Sequence, residues 1–166
     1  MIERGETLVK SIWYYDYPVG AIAIAETDGA ISNVFFGDDN RMGLEMAQTP
    51  LIQKAAAQLR EYFAGQRTDF TLPLSFSGTE FQQSVWQALQ TIALGETRSY
   101  KEIALQIGKP KAVRAVGMAN KRNPIPIIVP CHRVVGHDGS LTGYAGGLSM
   151  KQYLLELEQK TSVVHP

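Results

Sequence analysis

The chain has one cysteine, Cys131, and His132 and Arg133 follow it directly. A thiolate is a strong nucleophile and a metal ligand. A neighbouring base or cation lowers a thiol's pKa, whereas apolar burial raises it. The trio lies in Pro124-Ile125-Pro126-Ile127-Ile128-Val129-Pro130-Cys131-His132-Arg133-Val134-Val135, which holds three of the eight prolines. Proline fixes φ, removes a donor and biases the preceding residue toward extended backbone, so this stretch is not helical. Pro130 stiffens the chain just before the sulfur. Neighbours in an extended segment point to opposite sides, so Cys131 and His132 need a relay, and a bridging water serves. An isolated cysteine is ordinarily inert packing. The proline-stiffened approach and the His-Arg neighbours argue for a reactive thiol instead. One cysteine permits no intramolecular disulfide, and His132, His137 and His165 lack the paired spacing of a zinc site, so no metal is expected.

Those residues need a scaffold, and 166 residues with 45% apolar content can bury one large core or two small ones. Formal net charge is zero. Charge is unevenly spread, however: residues 1–75 carry ten acids and six bases, and residues 76–166 six acids and ten bases. Between 98 and 122 seven bases face Glu102 alone, which points to a nucleic-acid face or a solvated surface. The opening residues are too polar for a signal peptide, and no apolar run approaches the roughly 18 residues of a membrane span, so a cytoplasmic (intracellular) protein with no membrane partner is expected.

The N-terminal half reads as a three-stranded antiparallel sheet with a covering helix. Residues 6–15 form the first strand and 16–20 a turn. Ala21-Ile22-Ala23-Ile24-Ala25 alternates as a buried strand does, and Asp28-Gly29 turns the chain into 31–36. A loop with Gly37, Asp38, Asp39 and Asn40 follows. Thr49-Pro50 opens a helix to Gly65, with Ile52, Ala55, Ala56, Leu59 and Phe63 on one face. Residues 66–78 read as an extended linker. The domains are therefore 1–75 and 79–160, with 161–166 a fraying tail.

The C-terminal half reads as helical. Capping boxes begin at Thr79, Ser99 and Ser149, completed by Gln82, Glu102 and Gln152. The second helix of this half ends at Gly108-Lys109-Pro110. Residues 111–121 form the third, with Val113 and Val116 inward and Arg114 outward. Two helices joined by a short glycine-containing turn form a helix-turn-helix pattern, although most such pairs are plain hairpins. The last helix buries Met150, Tyr153, Leu154 and Leu157. Glu158 lies beside that stripe, at the end of the macrodipole that disfavours an acid. Trp13, Phe81 and Trp86 read as core, and His137 as a solvated turn residue.

The Cys131 stretch resembles the active-site signature of the O6-alkylguanine-DNA alkyltransferases, the methylated-DNA–protein-cysteine methyltransferases. Ser99-Tyr100, Lys111-Ala112-Val113-Arg114-Ala115-Val116-Gly117, Asn123-Pro124, Gly143-Tyr144-Ala145-Gly146-Gly147-Leu148 and the block 151–158 resemble family blocks in order and spacing, as does Phe81-Gln82-Gln83-Ser84-Val85-Trp86. The likeness is strong over 79–158. It implies an α+β fold with a ribonuclease H-like N-terminal domain and a winged helix-turn-helix-like motif. It implies repair of double-stranded DNA by irreversible, single-turnover transfer of an alkyl group from guanine O6 to Cys131, without a cofactor. His132 would remove the thiol proton through a water, Glu158 would hold His132, and Tyr100 would protonate guanine N3. Arg114 would replace the flipped base. The carbonyls of Cys131 and Val134 would accept from the guanine amine, the Ala145 N–H would bond O6, and Tyr144 would wall the pocket. Asn123 would hinge the loop, and Pro126 would limit bulky adducts. A monomer in solution is expected, with cooperativity on DNA and O4-alkylthymine repair left open.

Three other readings compete: a module that flips damaged bases without reacting, a cysteine hydrolase, and a helix-turn-helix regulator. The first needs an inert Cys131. The second needs a Cys-His pair that adjacent residues do not normally form, and the third a sensor domain that is not visible.

Overall fold

The computed structural model describes residues 10–38 and 43–166. The expectations for the opening residues, and for Asp39 and Asn40, lie outside the described residues. Strand β1 (Lys10–Tyr17) pairs antiparallel with β2 (Gly20–Thr27), and β2 with β3 (Ala30–Phe36). The first turn is tighter than expected, because pairing runs out to Tyr17 and Gly20. Asp28 (φ 48°) and Gly29 (φ 82°) both adopt the left-handed region, as a two-residue hairpin of this hand requires. Among the described residues the sheet has a fourth strand, β4 (Glu45–Met46), parallel to β1, giving the order β3-β2-β1-β4. The expected three-stranded meander is thus extended by one short strand.

The alternation in β2 separates two cores. Ile22 and Ile24 face the main core, while Ala23 and Ala25 pack with Ile12 on the other face. Helix α1 (Pro50–Phe63) covers the Ile22–Ile24 face. Thr49 caps it by accepting from the Ile52 N–H. The segment 66–78 is more than a linker. Ile31 donates to Pro73 O at 2.8 Å and accepts from Ser75 N at 2.9 Å. Gln58 of α1 clamps Thr71 through its side-chain amide. An unpaired edge on β3 would leave backbone groups without partners, and this strap supplies them. Further along the same edge, Val34 donates to Pro124 O at 2.9 Å. The N-terminal sheet therefore holds the start of the cysteine stretch.

Helix α2 (Glu80–Leu89) begins at the Thr79–Gln82 capping box. Strand β5 (Arg98–Ser99) leads into α3 (Tyr100–Gln106), whose Ser99–Glu102 box also forms. Helix α4 (Val113–Lys121) packs on α2 and α3. Val116 is buried but Val113 is 37% exposed, so only one of the two expected inward valines points in. After a short 3₁₀ turn (Cys131–Arg133), strand β6 (Val134–Val135) pairs in parallel with β5. Helix α5 (Leu148–Val164) differs from expectation at both ends. Gly147 (φ 95°) is its N-cap, so no capping box forms at Ser149. The helix continues through Val164, so residues 161–164 are not frayed. Its buried face is Lys151, Leu154, Glu158 and Thr161, and Tyr153 is exposed. A helix that buries one lysine and one glutamate two turns apart does so only when both are partnered. One contiguous core runs from Ile22 and Leu59 through Trp86 to Ile125 and Leu154. No helix among the described residues is long and apolar enough to cross a membrane.

Candidate active site

The cysteine stretch is folded by two tight turns rather than simply extended. Ile128 N donates to Pro126 O at 2.9 Å, which closes a three-residue turn centred on Ile127. Ile127 has φ 72°, a conformation that β-branched residues rarely adopt. Cys131 N donates to Val129 O at 2.8 Å, and this closes a second such turn on Pro130 (φ −81°, ψ 66°). Both turns are buried, as are Pro126 and Pro130. Asn123 fastens the first. Its Nδ2 donates to Val129 O at 2.7 Å and its Oδ1 accepts from Ile125 N at 2.9 Å. Asn120, one turn earlier on α4, donates to Cys131 O at 3.3 Å.

Cys131 is 4% exposed, and burial pushes its thiol up to about 11. A hydrogen bond from Asn123, the charge of Lys151 and nearby backbone N–H groups pull the other way without prevailing. At neutral pH the sulfur is a thiol, so attack requires a base. The base next in the chain is fully buried, and it faces Glu158. His132 Nε2 lies 2.6 Å from Glu158 Oε2. Its other nitrogen, Nδ1, is buried without a partner among the described residues. Burial lowers the His132 pKa, with Glu158 opposing, so its neutral form prevails. That form carries its proton on Nε2, toward the carboxylate, and leaves Nδ1 as the acceptor.

Glu158 is the hub. Besides His132, it accepts from Arg133 Nε on Oε1 at 2.7 Å and from Arg133 NH2 on Oε2 at 3.0 Å. The Tyr62 hydroxyl on α1 donates to Oε2 at 2.6 Å. Burial raises the carboxyl pKa, but His132 and Arg133 overcome this and hold it at about 2. Arg133 therefore serves the carboxylate, and it also donates to Ile92 O at 2.5 Å. It does not activate the sulfur, as its place in the sequence suggested.

The remaining predicted residues ring this centre. Tyr144 presents its ring edge-to-face with His132 at 6.3 Å and packs on Phe36. Its hydroxyl is buried without a partner among the described residues. Tyr100 bonds the Thr142 hydroxyl at 2.8 Å, and its ring lies against Gly117 of α4, where an added Cβ would sit 3.8 Å away. Ala145 is exposed in the same loop as Tyr144. The Val134 carbonyl accepts from Lys151 Nζ at 2.7 Å, and Lys151 also donates to Thr142 O at 2.6 Å. Arg114 stands apart, exposed on the outer face of α4. Among the described residues no cluster of His, Cys, Asp or Glu is placed to hold a metal ion.

The matched families fit this geometry. Residues 80–160 match the 6-O-methylguanine DNA methyltransferase, DNA binding domain, and residues 12–76 match the ribonuclease-like domain of the same proteins. The chain belongs to the 6-O-methylguanine DNA methyltransferase family. It is 50% identical over 150 residues to the constitutive methylated-DNA–protein-cysteine methyltransferase of Bacillus subtilis, covering 86% of this chain and 91% of the relative. The Mycobacterium leprae methyltransferase is 51% identical over 148 residues, covering 87% and 89%. Among solved structures, Mycobacterium tuberculosis OGT in complex with DNA has a TM-score of 0.85 at 48% identity, covering 91% and 94%. The ribonuclease-like N-terminal half and the DNA-binding C-terminal half expected from the sequence correspond to the family's two matched domains.

Four residues at this candidate site escaped sequence reasoning: Tyr62, Asn120, Thr142 and Lys151. Two had a signal. Tyr62 falls on the α1 stripe, where a tyrosine needs a partner for its hydroxyl. Lys151 and Glu158 are two turns apart, on one helix face. Asn120 and Thr142 gave none.

Proposed function

We propose that this methyltransferase repairs DNA by taking an alkyl group from guanine O6 onto Cys131 in a single turnover. The observation that carries the proposal is the buried series Cys131–His132–Glu158: a protonated thiol, an imidazole with one open acceptor, and a carboxylate fixed behind it. A water between Sγ and His132 Nδ1 passes the thiol proton to the imidazole as the sulfur attacks. The S–C bond forms as the C–O6 bond breaks. The imidazolium that results is held by Glu158, the third-group arrangement of an activated nucleophile. Tyr100 donates a proton at guanine N3 as negative charge grows on the leaving base, which makes it a better leaving group.

The pocket reads guanine mainly through backbone. The carbonyls of Cys131 and Val134 accept from the exocyclic amine. The Cys131 carbonyl already accepts from Asn120 Nδ2 at 3.3 Å and from the Val134 N–H, and the Val134 carbonyl from Lys151 Nζ, so at Cys131 the guanine amine competes with the long Asn120 bond. The Ala145 N–H bonds O6, and Tyr144 walls the site. A base within a duplex is unreachable, so it is flipped, with Arg114 filling the gap. The exposed position of Arg114 supports this role. DNA is the partner in the M. tuberculosis relative's structure, and the bases across 98–122 hold phosphates here. In this proposal residues 79–160 bind DNA and accept the alkyl group, and residues 1–75 brace them.

The test is an intact mass and peptide map after mixing with duplex DNA bearing O6-methylguanine. One methyl per protein, on Cys131, is expected. Binding without a mass change, or repeated turnover, sinks the proposal.

A further inference from the structure

The N-terminal half has no part in the chemistry as drawn so far, yet one of its side chains reaches the relay. Tyr62 lies 96 residues before Glu158 and is 1% exposed. Its ring is wedged between Phe63, edge-on at 5.2 Å, and Phe70 at 5.6 Å. Such packing leaves the hydroxyl little freedom in direction. The phenol stays protonated, since burial and then the Glu158 charge push its pKa well above the usual 10. It therefore donates, and the bond goes to Oε2, the same oxygen that faces His132. The other donors to Glu158, Arg133 and His132, both belong to the 3₁₀ turn and leave the carboxylate free to shift with that turn. A third donor on Oε2, from a separate rigid element, removes that freedom.

We propose that Tyr62 is a positioning residue of the proton relay, so that the docking of α1 sets both the aim and the basicity of the His132–Glu158 pair. This rests on the repair reading above. The groups that face the pair are Tyr62 from α1, Arg133 from the 3₁₀ turn, Lys151 from α5, and Tyr144 from the loop before α5. Of these, Tyr62 alone belongs to the N-terminal half. Its hydroxyl withdraws negative charge from Oε2. Without it Oε2 is the stronger acceptor and holds the imidazolium better, so His132 protonates at higher pH. The same loss frees the carboxylate to turn, which lowers the rate once His132 is neutral.

The experiment follows alkyl transfer from free O6-benzylguanine across pH, with no DNA to bind. Tyr62→Phe should lower the rate plateau by roughly tenfold, the lower end of the loss when an orienting partner is removed. It should also move the acid limb upward in pH. Site-specific 3-fluorotyrosine at position 62 is a stronger donor and keeps the ring, so it should move the limb downward. Tyr17→Phe removes another α1 contact, the 2.9 Å bond to Ala56 O, and should change neither plateau nor limb. A lower melting temperature with wild-type plateau and limb overturns the inference. So does equal slowing by Tyr62→Phe and Tyr17→Phe, which would mean general loosening of α1. Failure of the wild-type protein to take a methyl from duplex O6-methylguanine would instead sink the repair reading, and the inference with it.

Discussion

Arg133 turns away from the sulfur two residues before it and grips both oxygens of Glu158, Nε to Oε1 at 2.7 Å and NH2 to Oε2 at 3.0 Å. The guanidinium fork matches a carboxylate in a way an ammonium does not. Arg133→Lys keeps the charge and loses the fork. A loss of about 1–3 kcal/mol, the cost of leaving a buried acceptor short of a donor, is expected, read as a lower urea midpoint. An unchanged midpoint would mean that the fork contributes nothing to the fold.

Acid should weaken the fold through Glu158. Its folded pKa, about 2, lies below the ordinary 4.5. A depressed carboxyl contributes stability that is complete above the unfolded value and is lost as pH falls toward the folded one. The loss therefore falls between about pH 5 and 2. Glu158→Gln should flatten that part of a stability-against-pH curve while lowering stability at neutral pH.

The rate should follow a different group. The thiol, pushed up to about 11, stays protonated across neutral pH, so the thiolate fraction does not set the profile there. His132 must be neutral to accept, and its pKa lies below 6.5. Transfer from free O6-benzylguanine should be flat from pH 7 to 8 and fall on an acid limb centred below 6.5. A tenfold rise per pH unit through 7 to 8 would show direct thiolate attack instead.

Asn123→Ala should damage stability and reaction together. It leaves Ile125 N without an acceptor in a buried turn and takes one of two donors from Val129 O, which keeps the Cys131 N–H. One unsatisfied buried donor costs about 1–3 kcal/mol. A thermal melt measures the first effect and single-turnover kinetics the second.

Arg114→Ala should separate DNA handling from chemistry. Repair of duplex O6-methylguanine should drop at least tenfold, while reaction with free O6-benzylguanine holds within about twofold. Equal losses on both substrates would refute the intercalating role.

What could be read from the chain was what depends on near neighbours. The caps at Thr49, Thr79 and Ser99 each need only a side chain and an N–H three residues on. The Asp28-Gly29 turn is equally local. The cap at Ser149 failed because Gly147 starts α5 earlier, at a left-handed φ. The reactive trio was visible as residue types, but the direction of Arg133 was not, since it is set by a partner 25 positions away. Asn120 and Tyr62 matter only through contacts made across the fold. Ile127 would not be guessed at φ 72°, since a β-branched residue holds that conformation only where the surrounding fold over-determines it, and here the side chain is fully buried in the core.

A protein that is consumed by its first reaction must also keep until it is needed. Peroxide and stray electrophiles attack thiolates that solvent can reach. Cys131 is shielded and protonated: it is 4% exposed, and burial pushes its thiol up to about 11, so the thiolate is scarce at pH 7. The burial that makes the sulfur sluggish at rest thus gives the unused molecule a long shelf life. On the proposed mechanism, its one reaction is kept for a base already seated in the pocket.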